Sequence, residues 1–253
     1  MKAMVVVAAA LVAAVGCSGR SDAGLDPAPA PSPAHSTASA PPGAGRLVLR
    51  TSTSGGIAGL GGPGSLPDFS LYGDGRAIAG SSGTLTEYHL TPRAVRSIVS
   101  AAQDAGLATP RTVESPNMAD AMYAVVTFVV DGRPRTTRLV EPVSDGRAAA
   151  LLGRLNPSAW PRGDLAAAPR PYRPAKVAAL ALPGSATGAP RWPFAKPLGS
   201  GTRVGTRTCT VLTGADARRA PAGRWSEWTD HGRSYRVMLR PLLPDEADCA
   251  SLA

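Results

Sequence analysis

Lysine, histidine and aromatic side chains are scarce in this chain, and no long apolar run follows Val15. Of its 27 basic residues 3 are lysine, 3 residues are histidine, and aromatics make up 5%. Each shortage excludes a chemistry. Only His89 and His231 lie beyond residue 45, far apart and without an H-E-x-x-H pair or a cysteine cluster, so no zinc centre is expected. Neither Lys176 nor Lys196 follows the glycine that a phosphate-binding Walker loop requires, and no G-x-S-x-G elbow exists for an α/β-hydrolase nucleophile. Nothing after Val15 is apolar for the ~20 residues that a membrane-spanning helix needs.

Acid is also in short supply: 18 Asp and Glu face the 27 basic residues, a formal net charge of +9. The arginines are scattered singly, with no cluster longer than Arg218–Arg219, so the excess charge does not indicate nucleic-acid binding. Weak, salt-screened attraction to anionic membrane or wall polymers is the expected consequence. Gly59, Gly61 and Gly64 satisfy a G-x-G-x-x-G spacing. Pro63, Pro67 and an expected strand follow them, however, so the segment reads as a Gly-rich loop rather than a dinucleotide cradle. No cofactor is expected.

The N-terminus carries the most specific signal. Lys2 precedes an apolar run from Ala3 to Val15, too short to span a bilayer but of signal-peptide length, and the run ends in Ala14-Val15-Gly16-Cys17. This tetrad resembles the lipobox of bacterial lipoproteins; Gly16 and Cys17 match the usual pattern well, and Ala14 and Val15 are permissive variants. The resemblance implies cleavage before Cys17 and diacylglyceryl attachment to its sulfur. Two acyl chains matter because each buried methylene contributes about 0.8 kcal/mol and a single chain binds only reversibly. A plain secretory signal with an incidental cysteine, or an uncut N-terminal anchor, is the alternative.

Residues 18–45 are largely Pro, Ala, Ser, Thr and Gly and have almost nothing to bury, so a disordered tether with a reach on the order of 80 Å is expected. After Cys17 only Cys209 and Cys249 remain. In an oxidising compartment a leftover pair reads as a disulfide, and their wide spacing, with no Cys-x-x-Cys, argues against a redox or metal pair.

Beyond Gly45 the pattern predicts an α+β domain. Strands are expected over 46–53 and 84–90. A hairpin is expected from Phe69 to Ile78 around Gly73-Asp74-Gly75, and another from Met122 to Val140 around Asp131-Gly132. Thr91 and Pro92 start a helix whose stripe is Val95, Ile98, Val99 and Ala102, with Gly106 beyond its end. A second helix is expected around Ala148, Leu151, Leu152 and Leu155, closed by Asn156-Pro157. Strands over 208–212 and 235–239 flank a helical turn from Thr213 to Arg219. Thr91 and Asp131-Gly132-Arg133 have counterparts in Thr213 and His231-Gly232-Arg233, which suggests two similar strand–helix–hairpin halves, 46–165 and 170–253.

Paired carboxylates leave no diagnostic spacing. The folded region offers Glu87, Glu114, Glu141, Glu227 and Glu246. Glu227, between Trp225 and Trp228, has the company a sugar site needs; the plainer reading is two tryptophans covering a core edge with Glu227 in solvent. No catalytic residue is assigned. The lipobox, the Pro/Ala tether, the segment from Leu66 to Arg76 (LPDFSLYGDGR) and the ending from Arg240 to Glu246 (RPLLPDE) resemble the uncharacterised lipoproteins of actinobacteria, and the Arg-, Ala- and Pro-rich composition fits a GC-rich genome. That resemblance implies a membrane-anchored extracytoplasmic protein (1–16 signal, 17–45 tether, 46–253 domain) and assigns no reaction; with no chemistry legible in the residues, the leading reading is a non-catalytic protein that binds an unknown ligand or envelope partner. The alternative is a hydrolase acting on wall or glycan material.

Overall fold

The computed structural model describes residues 45–57, 59–81, 84–113, 120–221 and 223–252. Cys17, the signal segment, the tether up to residue 44 and Glu114 lie outside the described residues. Among the described residues the architecture is α+β, mostly antiparallel, with two sheets and three α-helices.

The first sheet has eight strands: β1 (Leu47–Gly55), β2 (Phe69–Tyr72), β3 (Arg76–Ser81), β4 (Thr84–Leu90), β5 (Thr112–Val113), β6 (Met122–Val130), β7 (Arg133–Val140) and β8 (Leu165–Pro171). Their order is β5-β7-β6-β1-β2-β3-β4-β8, and only the two-residue β5 pairs in parallel. Period-2 alternation gives the sheet one apolar face, where Leu49, Leu71, Val126, Phe128 and Leu139 meet α1 (Pro92–Asp104) and α2 (Gly146–Arg154). Helix α1 starts as its sequence requires: the Thr91 hydroxyl accepts from the Ala94 N–H, and Pro92 takes the first turn.

The second sheet has five strands: β9 (Lys176–Pro183), β10 (Thr202–Val204), β11 (Arg207–Thr213), β12 (Trp225–Asp230) and β13 (Arg233–Pro241), in the order β10-β11-β9-β13-β12. Strand β9 is its centre, with Val177 to Ala181 buried on both faces. One face packs Val177, Ala179, Val237 and Leu239 on Trp192, Phe194 and Leu198, with Ala217 of α3 (Gly214–Arg219). The other packs Ala178, Leu180, Val204 and Cys209 under Leu242, Cys249 and Leu252 of the C-terminal segment.

That segment joins the sheets. Leu242 belongs to the cluster of the second sheet, while its neighbour Leu243 packs on Tyr72, Ile78 and Leu85 of the first. Cys249 is bonded to Cys209 across a Cα–Cα distance of 5.9 Å. Gly64, in the Gly-rich loop, donates to the Leu252 carbonyl, and a Cβ at this position would come within 2.6 Å of Leu180. Close approach to the second sheet is therefore what this glycine serves.

The two long hairpins turn alike. Among the described residues, Asp131 and His231 are the non-glycine residues at positive φ, 51° and 46°, each followed by a glycine at 74°. The two hairpins join their sheets differently: β6, the first strand of its hairpin, pairs with β1, whereas β13, the second strand of its hairpin, pairs with β9.

Candidate functional site

Three polar clusters are candidate sites, and among them they hold Glu87, His89, Glu246 and Glu227 of the residues named from the sequence. The first lies on the helix-free face of the first sheet, where alternation along β4 puts Glu87 and His89 side by side. Glu87 Oε1 lies 3.0 Å from His89 Nε2 and accepts from Arg170 Nη2 at 2.6 Å. Burial pushes the Glu87 carboxyl up, but the Arg170 and His89 hydrogen bonds outweigh it and hold the group below its ordinary range. A base with an orienting carboxylate is thus present. Among the described residues, no serine, threonine, tyrosine or cysteine hydroxyl or thiol bonds to His89, so the pair lacks a nucleophile. His231 stands at a hairpin tip with 81% of its side chain exposed, 3.8 Å from Asp230.

The second cluster is a buried ionic clasp between the segments that the sequence reading singled out. Arg240 and Glu246, 3% and 6% exposed, form a bidentate pair, with Arg240 Nη2 donating to Glu246 Oε1 at 2.8 Å. Glu246 Oε2 also accepts from the Leu243 N–H. Beside them Asp245 Oδ1 takes Arg50 Nη2 at 2.8 Å and the Tyr72 hydroxyl at 2.9 Å. Burial first, then the Asp245 charge, pushes the Tyr72 phenol far above its usual value. Nearby, the Tyr172 hydroxyl donates to the Leu242 carbonyl, and burial pushes its phenol up to about 12. Every charge here is matched by an opposite one, so the clasp is structural.

The third cluster is the face of the second sheet around Glu227. Ladder register aligns Leu182, Arg236 and Glu227 in one row and Cys209, Leu180, Met238 and Trp225 in the next. Trp225 and Glu227 therefore share a face, and Trp228 points the other way. Trp228 joins the core, edge-on to Trp192 at 5.6 Å, with its indole N–H on Ser226. Of the two tryptophans beside Glu227 in sequence, Trp228 covers the core edge as the plainer reading has it and Trp225 stays with Glu227, because a period of two separates residues an odd number apart. Trp225 is instead flanked by cations, with the Arg236 guanidinium 5.0 Å and that of Arg207 5.7 Å from its ring centre.

Partners at this face are few. Arg207 donates to the Pro63 carbonyl and its Nε is buried without a partner. Glu227 is half-buried, and its Oε2 lies against Gly184 with no hydrogen bond. No described residue forms an ion pair with Arg207, Arg236 or Glu227. The sequence offered Glu227 and Trp225, but gave no sign of Arg207, which reaches them only through the order β11-β9-β13-β12.

Two hollows mark the surface elsewhere. An open apolar one of about 510 Å³ is lined by Met122, Glu141, Pro142, Val143, Ala149 and Leu152. Another, of about 380 Å³, lies over the disulfide between Lys196, Thr202, Thr210 and Asp248. The Lys196 ammonium already donates to the Val211 carbonyl and Asp248 already accepts from the Ala250 N–H, so neither hollow presents a reactive pair. No helix of the described residues is long and apolar enough to cross a membrane, and they hold no cluster of three metal-ligating side chains. No family model, curated protein or solved structure matches the chain.

Proposed function

We propose that the chain is a lipoprotein held on the outer face of the cytoplasmic membrane by lipid on Cys17, and that its domain binds a ligand or envelope partner without catalysing a reaction. The observation that carries this is the Cys209–Cys249 disulfide. Such bonds persist in oxidising compartments outside the cytoplasm, and the remaining cysteine is the one in the lipobox-like tetrad. Two acyl chains with a tether of this length suit a domain that works at a distance from the bilayer. The paired Asp131-Gly132 and His231-Gly232 turns support a reading of the domain as two similar halves; the different strand orders weigh against it.

The hydrolase alternative has the His89–Glu87 pair in its favour. Weighing against it, Arg170 occupies the same carboxylate oxygen and the described residues offer no nucleophile to His89. The anchor is tested by expressing the full chain and its Cys17→Ser variant in a bacterial host that processes lipoproteins. The parent should fractionate with membranes at the mass of a cleaved, acylated chain, and the variant should leave the membrane fraction. Identical partitioning of both at the unprocessed mass would overturn the reading.

A further inference from the structure

The third cluster carries chemistry that the proposed binding role leaves unspecified. Its face holds a hydrogen-bond acceptor without a donor, donors without acceptors, and an aromatic ring. Ionised Glu227 is acceptor-only and no described residue donates to its carboxylate; its Oε2 is buried against Gly184, which leaves the other oxygen to meet a ligand. Arg236 is exposed and its guanidinium, over the Trp225 ring, makes no hydrogen bond with a described residue, while the Arg207 guanidinium spends one donor on Pro63 and has none on a carboxylate. Unmatched polar groups of both kinds, side by side, call for a ligand that brings hydroxyl donors together with an anionic acceptor. Trp225 adds the flat apolar surface against which a saccharide ring packs.

We propose that Trp225, Glu227, Arg207 and Arg236 bind an acidic saccharide, with Glu227 accepting from ring hydroxyls and the two guanidiniums holding the acid group. The assignment rests on the binding role proposed above and deepens it. Two cations against one carboxylate leave the patch net positive, which selects an acidic sugar over a neutral one. A bare polyphosphate would supply acceptors alone, and Glu227 would repel it. Glu227 therefore sets the class of ligand, and the arginines set its charge.

The test uses the full chain carrying Cys17→Ser, titrated calorimetrically with tetragalacturonate, maltotetraose, polyphosphate and phosphatidylglycerol vesicles. Saturable binding of tetragalacturonate is expected, weakened at least tenfold by Arg236→Gln or Trp225→Leu and severalfold by Glu227→Gln. Arg233→Gln, at the hairpin tip, should leave it unchanged, and all variants should keep the parent's unfolding midpoint. Absence of saturable binding, equal binding of maltotetraose, or equal binding of polyphosphate or vesicles would overturn the proposal. So would insensitivity of binding to the Arg236 and Trp225 variants, and Glu227→Gln alone gives a second reading if Trp225→Leu fails to fold. Cleavage of the tetragalacturonate would overturn the non-catalytic reading while leaving this site in place. Failure of the sugar titrations with Cys17 processing intact sinks the site alone.

Discussion

Glu87 shows how one side chain can hold two strands and be held by them. It is 5% exposed, yet its Oε1 receives Arg170 Nη2 and Nε and lies on His89 Nε2, so the charged form is favoured despite burial. A carboxyl held below its unfolded value of about 4.3 contributes stability that is complete above that pH and is lost as pH falls through the lower folded value. Glu87→Gln should therefore lower stability by about 1–2 kcal/mol at pH 7, a charge-assisted bond discounted for the exposure of Arg170. The difference from the parent should shrink toward zero below the folded value. Urea unfolding over a series from pH 7 downward measures both; a deficit that stays unchanged however acid the solution would mean that Glu87 acts through packing rather than charge. Trp228 makes a complementary point, since its identity gave no hint whether it faced the core or the arginines, and only the register of β12 decides.

At the scale of elements, caps and turns were legible because their determinants lie within a few residues. Thr91-Pro92 opens α1 and Gly106 follows it at φ 70°, while Asp131-Gly132 and His231-Gly232 turn their hairpins. The similarity between Thr91 and Thr213 does not extend to the cap: Thr91 accepts from Ala94, but Thr213 makes no side-chain cap bond to α3. Thr91→Ala should accordingly cost about 1 kcal/mol and Thr213→Ala less than about 0.5 kcal/mol, as read by denaturant midpoints. Equal losses would show that the hydroxyls act elsewhere. Strand β9 was not legible, although it is the middle of its sheet. Its run of Val, Ala and Leu is buried on both faces, so it lacks the alternation that reveals a half-exposed strand, and its alanines favour helix in isolation. Strand β12 was hidden for a related reason: each of its residues is only half-buried, leaving no apolar stripe to read.

Over the whole molecule, the C-terminal segment is the piece on which both sheets depend. Arg240–Glu246 is buried where that segment leaves β13, and Arg50–Asp245 carries the connection to the first sheet across 195 residues. Removing one member of a buried pair strands the other, so Glu246→Gln should destabilise by about 3–5 kcal/mol. The double change Arg240→Met with Glu246→Met should recover much of that loss, because it removes the desolvation of both charges together. Chemical denaturation of the three proteins reads this directly, and a double variant no better than the single one would mean that hydrogen bonds to Ser65 and Leu243, rather than the pair, hold the segment.

What the sequence determined by itself is what short range encodes. The helix caps, the tight turns and the alternating strands follow from neighbours a few residues apart, and the pairing of Cys209 with Cys249 follows from elimination within the folded region. The α+β class follows from the order of those elements. Tertiary structure alone decided that the segments around Tyr72 and Asp245 meet, that Arg207 crosses a sheet to reach Trp225, and that β9 lies at the centre. The physical reason is common to all three. A side chain's partners across a sheet are set by strand order and register, and these are fixed by burying all the apolar faces at once rather than by any local signal.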